Sequence, residues 1–164
     1  MRVNIVNKRA LVKKIIEQLT SDLSVYHKAA RAAHAEATHE QSKAENKYDT
    51  RGLEASYLAR GQSRQAAEIL QAIQEFEKLA LREFKKGDAI ELGAFVELNG
   101  RNEQSFYFIG PRAGGTEVLH EKKEVLVITP QSPLGQQLAG KKQGDRLQIE
   151  IGGLRNDYTV VLVS

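Results

Sequence analysis

The sequence predicts an α+β protein. An N-terminal antiparallel helical hairpin, paired as a coiled coil, precedes a mostly antiparallel β domain with one short helix. Three observations predict it. Apolar and small residues recur at steps of three and four through the first half. Neither glycine nor proline occurs between residues 1 and 51. Beyond Phe84 the pattern changes to short runs rich in β-branched and aromatic residues, separated by turn-forming pairs.

The first arm spans residues 8–37. Leu11, Ile15, Leu19, Leu23, Tyr26, Ala30, Ala33 and Ala37 fall on one helical face. The face shrinks from Leu and Ile to Ala, so the two arms are expected to approach more closely toward the far end. The second arm runs from about Leu53 to Leu81, with Leu58, Gln62, Ala66, Ile69, Ile73, Phe76 and Ala80 on its stripe. Bulky residues lie early in the first arm and late in the second, which is the antiparallel pattern. Gly61 interrupts the second arm at a cost of about 1 kcal/mol relative to Ala. Each arm of roughly 30 residues is about 45 Å long at 1.5 Å per residue.

Between the arms, residues 39–54 form a polar tip with four carboxylates: Glu40, Glu45, Asp49 and Glu54. Residues 1–83 are thus assigned to the hairpin and 84–164 to a globular domain. In the latter, strands are expected over Ala89–Leu98, Ser105–Ile109, Glu117–His120, Val125–Thr129, Arg146–Ile151 and Tyr158–Val163. Asn99-Gly100, Gly114-Gly115, Gly152-Gly153 and Asn156-Asp157 read as turns. The short helix has Ser132 as N-cap, Pro133 at its first position and Gly140 at its C-terminal cap.

Composition narrows the function. Of 164 residues, 41% are hydrophobic and 27% charged, as in a soluble globular chain. The net charge of +3 comes from the first 83 residues, and five bases (Arg2, Lys8, Arg9, Lys13 and Lys14) precede the first acid, Glu17. That end suits either an ordinary solvated helix start or contact with a polyanion or acidic protein surface. The absence of cysteine excludes disulfides, thiol catalysis and cysteine-based zinc sites. No run approaches the roughly 20 apolar residues of a membrane helix, and the start lacks a secretion-signal core, so a cytoplasmic protein is expected.

Enzyme motifs are missing. No nucleotide-binding glycine pattern, phosphate loop, nucleophile elbow or paired-histidine zinc motif occurs. His27, His34, His39 and His120 read as solvent-exposed. The loop Gly140–Asp145 reads as a basic turn. Phe106, Tyr107 and Phe108 must alternate between strand faces, with at least one in the core. The tip carboxylates fit two readings. One is a solvated turn with acids near a helix end. The other is a donor of oxygen ligands to a hard cation held mainly by a partner, where a second ion activates water for phosphodiester attack.

Two stretches carry a resemblance. Lys43-Ala44-Glu45-Asn46-Lys47-Tyr48-Asp49 resembles the Glu-Asn…Tyr tip signature of bacterial Gre-type (GreA/GreB) transcription elongation and transcript cleavage factors. Ile128–Asp145, with Ser132-Pro133-Leu134-Gly135, Leu138-Ala139-Gly140-Lys141 and Gly144-Asp145, is similar to that family's C-terminal signature. The resemblance covers nearly the whole chain in the right order. It implies a hairpin followed by an FK506-binding-protein-like domain without isomerase activity.

The resemblance further implies a partner, RNA polymerase, with the nascent RNA met only indirectly. The globular domain would dock at the rim of the secondary channel, with Ser132, Pro133 and Leu134 at the contact. The tip would share a Mg²⁺ with the polymerase, so the protein is not itself an enzyme and has no cofactor of its own. Glu45 would be the principal tip ligand, with Asp49 or Glu40 as a second, and Asn46 would position the tip or its water. Lys13, Lys14 and Arg51 would supply electrostatic guidance. The family's first tip acid precedes that Glu by three residues, and here the position is Ser42. A non-cleaving channel occupant is therefore an alternative. So are a stand-alone prolyl-isomerase or chaperone-like module and a plain hairpin adaptor. A monomer without membrane contact is expected.

Overall fold

The computed structural model describes residues 5–38 and 51–164, the side chains of Arg51 and Ile151 excepted. The expected tip residues Glu40, Ser42, Glu45, Asn46 and Asp49 therefore lie outside the described residues. The element order is α1 (Lys8–Thr38), α2 (Arg51–Glu77), β1 (Phe95–Asn99), β2 (Gln104–Ile109), β3 (Glu117–His120), β4 (Lys123–Ile128), α3 (Pro133–Leu138), β5 (Arg146–Ile151) and β6 (Leu154–Val163). A long helical pair thus precedes a six-stranded mixed sheet with one short helix.

The chain divides into two compact units, Leu19–Ile73 on one side and Met1–Gln18 with Gln74–Ser164 on the other. In the helical unit, the buried residues of the outer half are all alanines: Ala30 and Ala33 on α1, Ala55, Ala59 and Ala66 on α2. The small residues expected on the outer seam are thus the buried ones, but the register on α2 corrects the sequence reading. Leu58 is 54% exposed, and Ala59 and Ala55 take its place. At these buried positions small residues take the place of bulky ones.

In the other unit, Asn7 caps α1 by accepting the Ala10 N–H at 3.1 Å. The end of α2 comes at Glu77, not Leu81. There the Leu79 N–H closes a tight turn on the Phe76 carbonyl at 3.2 Å. The chain then runs on without helical bonds and brings Phe84 into the sheet core.

The strand order is β3-β4-β2-β1-β6-β5. All neighbours are antiparallel except β2 and β4, which run parallel with β3 as the return between them. Two strand starts differ from expectation by more than two residues. The first strand starts at Phe95, because the Ala94 N–H bonds back to Glu91 and Gly93 holds φ at +88°, which breaks an extended run from Ala89. The last begins at Leu154, because Gly152-Gly153 makes the two-residue hairpin turn and Asn156-Asp157 simply continues the strand. The α3 cap also shifts by one residue, to Ala139, with Gly140 just beyond it at φ +79°.

Both faces of the central strands are apolar. One face carries Val96, Leu98, Leu147, Ile149, Tyr158 and Val160, closed by Leu138 of α3 with Phe84 and Ile90. On the other, Phe95 and Phe106 stack at 6.1 Å between ring centroids, and Phe76 meets Phe108 at 6.4 Å. Phe106 and Phe108 share that face and Tyr107 lies opposite, as the alternation required. Gly110 is forced by this packing. A β-carbon there would lie 2.8 Å from the Phe76 ring and 2.9 Å from Val127.

Candidate functional site

The described residues nearest the tip give its approach. At the end of α1 the Thr38 hydroxyl donates back to the His34 carbonyl at 3.0 Å, and after the polar segment α2 resumes at Arg51. Between the arms lies a shallow groove of about 420 Å³, lined by Ala30 and His34 on α1 and Ser56, Ala59, Arg60 and Ser63 on α2. Outside the seam, α2 exposes Leu53, Tyr57 and Leu58. Arg60 lies 5.9 Å from the Tyr57 ring. Periodicity assigned Leu58 to the interior, so this exposed apolar group was missed.

The Ser132-Pro133-Leu134-Gly135 segment is a tightly specified turn into α3. Ser132 Oγ donates to the Thr129 carbonyl at 2.7 Å and accepts the Gly135 N–H at 3.1 Å. Pro133 occupies the first helical turn, where its missing N–H has no cost. Gly135 is buried, and a β-carbon there would lie 1.9 Å from the Thr129 oxygen. Pro133 is exposed at the surface, while Leu134 packs on the core. Farther on, the Lys142 N–H donates to the Asp145 carboxylate at 2.8 Å, which closes the expected basic turn.

The basic start of α1 separates by role. Lys8 is buried, donating from Nζ to the Gly93 carbonyl at 2.9 Å and to the Arg82 carbonyl. Its Nζ also stands 4.6 Å from the Phe84 ring. Burial, reinforced by the Arg82 charge, lowers its pKa to about 8. Lys14 donates to the Leu119 carbonyl at 3.2 Å, whereas Lys13 is exposed. Lys13 and Lys14 are thus available near the surface, and Lys8 is a packing element.

His120 overturns the expectation of exposure. It is 3% exposed, at the β3–β4 turn, and among the described residues neither ring nitrogen makes a hydrogen bond of good geometry, the Asn7 backbone lying nearby. Glu121 Oε1 stands 3.6 Å from Nε2, too far for a hydrogen bond. Burial lowers the His120 pKa. The Lys14 and Lys123 charges push the same way, and Glu121 and the Asn7 backbone oppose them. His27 and His34 are exposed as expected. Among the described residues, no cluster of three or more acids and histidines is arranged to hold a metal. Nor, among them, is any helix long and apolar enough to cross a membrane.

The sequence matches no protein-family profile and no curated protein. It is similar to solved structures. One is GreA factor homolog 1 (Gfh1) of Thermus thermophilus, with 24% identity, a TM-score of 0.39, and coverage of 91% of this chain and 94% of that one. Another is Gfh1 of Thermus aquaticus, with 24% identity, a TM-score of 0.40, and coverage of 92% and 94%.

Proposed function

We propose that this protein binds bacterial RNA polymerase through its secondary channel and regulates transcript elongation. One observation carries the reading. The chain pairs two long helices around a segment containing Glu45-Asn46, and follows them with a β domain in which Ser132-Pro133-Leu134-Gly135 makes a specified turn. The order of the two motifs is that of the Gre-type resemblance, and their content matches it except at Ser42. In this reading Glu45, with Asp49 or Glu40, reaches the polymerase's second Mg²⁺, and Asn46 steadies the tip or its water. Carboxylates suit Mg²⁺ because it is a hard cation that keeps several waters and takes one or two protein oxygens. Pro133 and Leu134, held by Ser132, meet the channel rim. Lys13, Lys14 and Arg51 favour approach to a polyanionic complex.

Ser42 gives a second reading its own footing. A single carboxylate supplies one ligand charge where an acid pair supplies two, so occupancy of the channel without cleavage fits this tip. Purified backtracked polymerase complexes with Mg²⁺ separate the two readings. Transcript cleavage stimulated by the wild type and lost in Glu45→Ala supports ligand donation. Slowed nucleotide addition without cleavage supports the occupant. Absence of polymerase binding at micromolar concentration sinks both.

A further inference from the structure

We infer that the notch where β6 outruns β1 is a docking site for a short, extended acidic peptide, added to the sheet as a partial strand. This goes beyond the polymerase reading and does not depend on it. The register sets the notch. The last β1·β6 pair is Asn99↔Thr159, whereas β6 begins at Leu154. Residues 154–158 of β6 therefore have β5 on one side and, among the described residues, no strand on the other. On the β5 side the pairs run from Ile151↔Leu154 to Arg146↔Thr159. The Val160 N–H bonds to the Asp145 carbonyl at 2.8 Å, which fixes the parity of the ladder. Even-numbered residues of this part of β6 bond toward β5. Arg155, Asp157 and Thr159 point their N–H and C=O groups the other way. Thr159 meets Asn99, and Arg155 and Asp157 meet no paired strand among the described residues.

That open edge borders a groove of about 1150 Å³ between the β1–β2 turn and the β5–β6 hairpin. Its charges point to the occupant. Arg101 and Arg146 line the groove, and neither has a carboxylate partner among the described residues. Two acids also line it, Asp157 and Glu103, the latter facing the Tyr158 hydroxyl at 3.4 Å, and Arg155 stands 3.7 Å from Glu150, so three lining arginines stand against two lining acids. Unpaired strand edges recruit extended chains through main-chain bonds, with side chains setting specificity. Four residues of such a chain span roughly 13 Å at about 3.3 Å each. Carboxylates on the added strand would meet the two free guanidinium groups in bidentate geometry.

The test uses the full chain and a capped octapeptide of alternating glutamate and valine. Amide hydrogen exchange is read at Arg155 and Asp157, and affinity by fluorescence anisotropy. The expected result is slowed exchange at both amides. Affinity should fall at least about tenfold in the double charge reversal Arg101→Glu/Arg146→Glu, whose side chains are exposed. A peptide of the same charge, N-methylated at alternate residues, should bind at least about tenfold more weakly, because its donors are blocked. Equal binding of the methylated peptide overturns the proposal. So does equally tight binding of an oligouridylate without protection at Arg155 and Asp157, which makes the groove a phosphate site. Unchanged exchange at millimolar peptide overturns it too.

Discussion

Ser132 and Gly135 act together at one turn, and their substitutions should differ in size for physical reasons. Removing the Ser132 hydroxyl loses a cap and leaves the Gly135 N–H without its acceptor, worth about 1 kcal/mol. A methyl group at Gly135 meets the Thr129 carbonyl 1.9 Å away, and backbone must move. Overpacking of this kind costs up to about 3 kcal/mol. Urea unfolding of Ser132→Ala and Gly135→Ala should therefore rank the glycine variant as the less stable. The reverse order would mean that the turn yields easily. His120 makes a pH-dependent prediction. Its folded pKa lies below the ordinary 6.5, so below that pH the unfolded chain takes up a proton that the folded chain refuses. Stability then falls with acidity, by at most about 1.4 kcal/mol per pH unit, until the folded pKa is passed. His120→Leu removes both the poorly satisfied buried nitrogens and the titration. It should be as stable as wild type or more so at pH 7.5, with a shallower loss between pH 6.5 and 5 in thermal unfolding.

At the scale of elements, Gly61 of α2 offers a clean comparison. A β-carbon there meets nothing within 4 Å, and the position is exposed mid-helix. Gly61→Ala should stabilise α2 by about 1 kcal/mol, read as a raised unfolding midpoint. An unchanged midpoint would mean that the helical unit opens independently of the rest. What was legible in the sequence follows from range. The helices and most strands declared themselves through period and turn residues. Ser132 and Pro133 declared α3, because capping is a local contest between side chain and backbone. Leu58 misled because periodicity ranks positions by hydrophobicity, whereas the seam beside Ala30 and Ala33 admits only small residues. The start of β1 was hidden because the turn at Gly93 interrupts a run whose composition still reads as strand. His120 and the Arg101–Arg146 groove were illegible for a different reason. Residues far apart in the chain build both, through a burial and a strand register that no local pattern encodes.

At the scale of the whole molecule, the decisive question is how many carboxylates the tip offers. A hard divalent ion poised between two active-site partners is stabilised by each added anionic oxygen, and a shared catalytic ion must be held while its water is deprotonated. Ser42 supplies a hydroxyl at the position where the Gre-type resemblance calls for an acid. If this protein occupies the polymerase secondary channel with one effective ligand, Glu45, it should slow nucleotide addition more than it stimulates cleavage. Ser42→Asp should then raise cleavage of backtracked RNA several-fold while leaving polymerase affinity near its original value, because the added charge acts at the metal and not at the rim. Glu45→Ala in that background should return cleavage to the level without factor. Salt gives an independent readout. Approach guided by Lys13, Lys14 and Arg51 should weaken as ionic strength rises and the screening length falls toward about 8 Å. The cleavage gained by Ser42→Asp in preformed complexes should change far less. If Ser42→Asp binds polymerase normally and cleavage does not move, the tip does not reach the metal. Glu45 would then have to act by obstructing the channel, and not by donating a ligand.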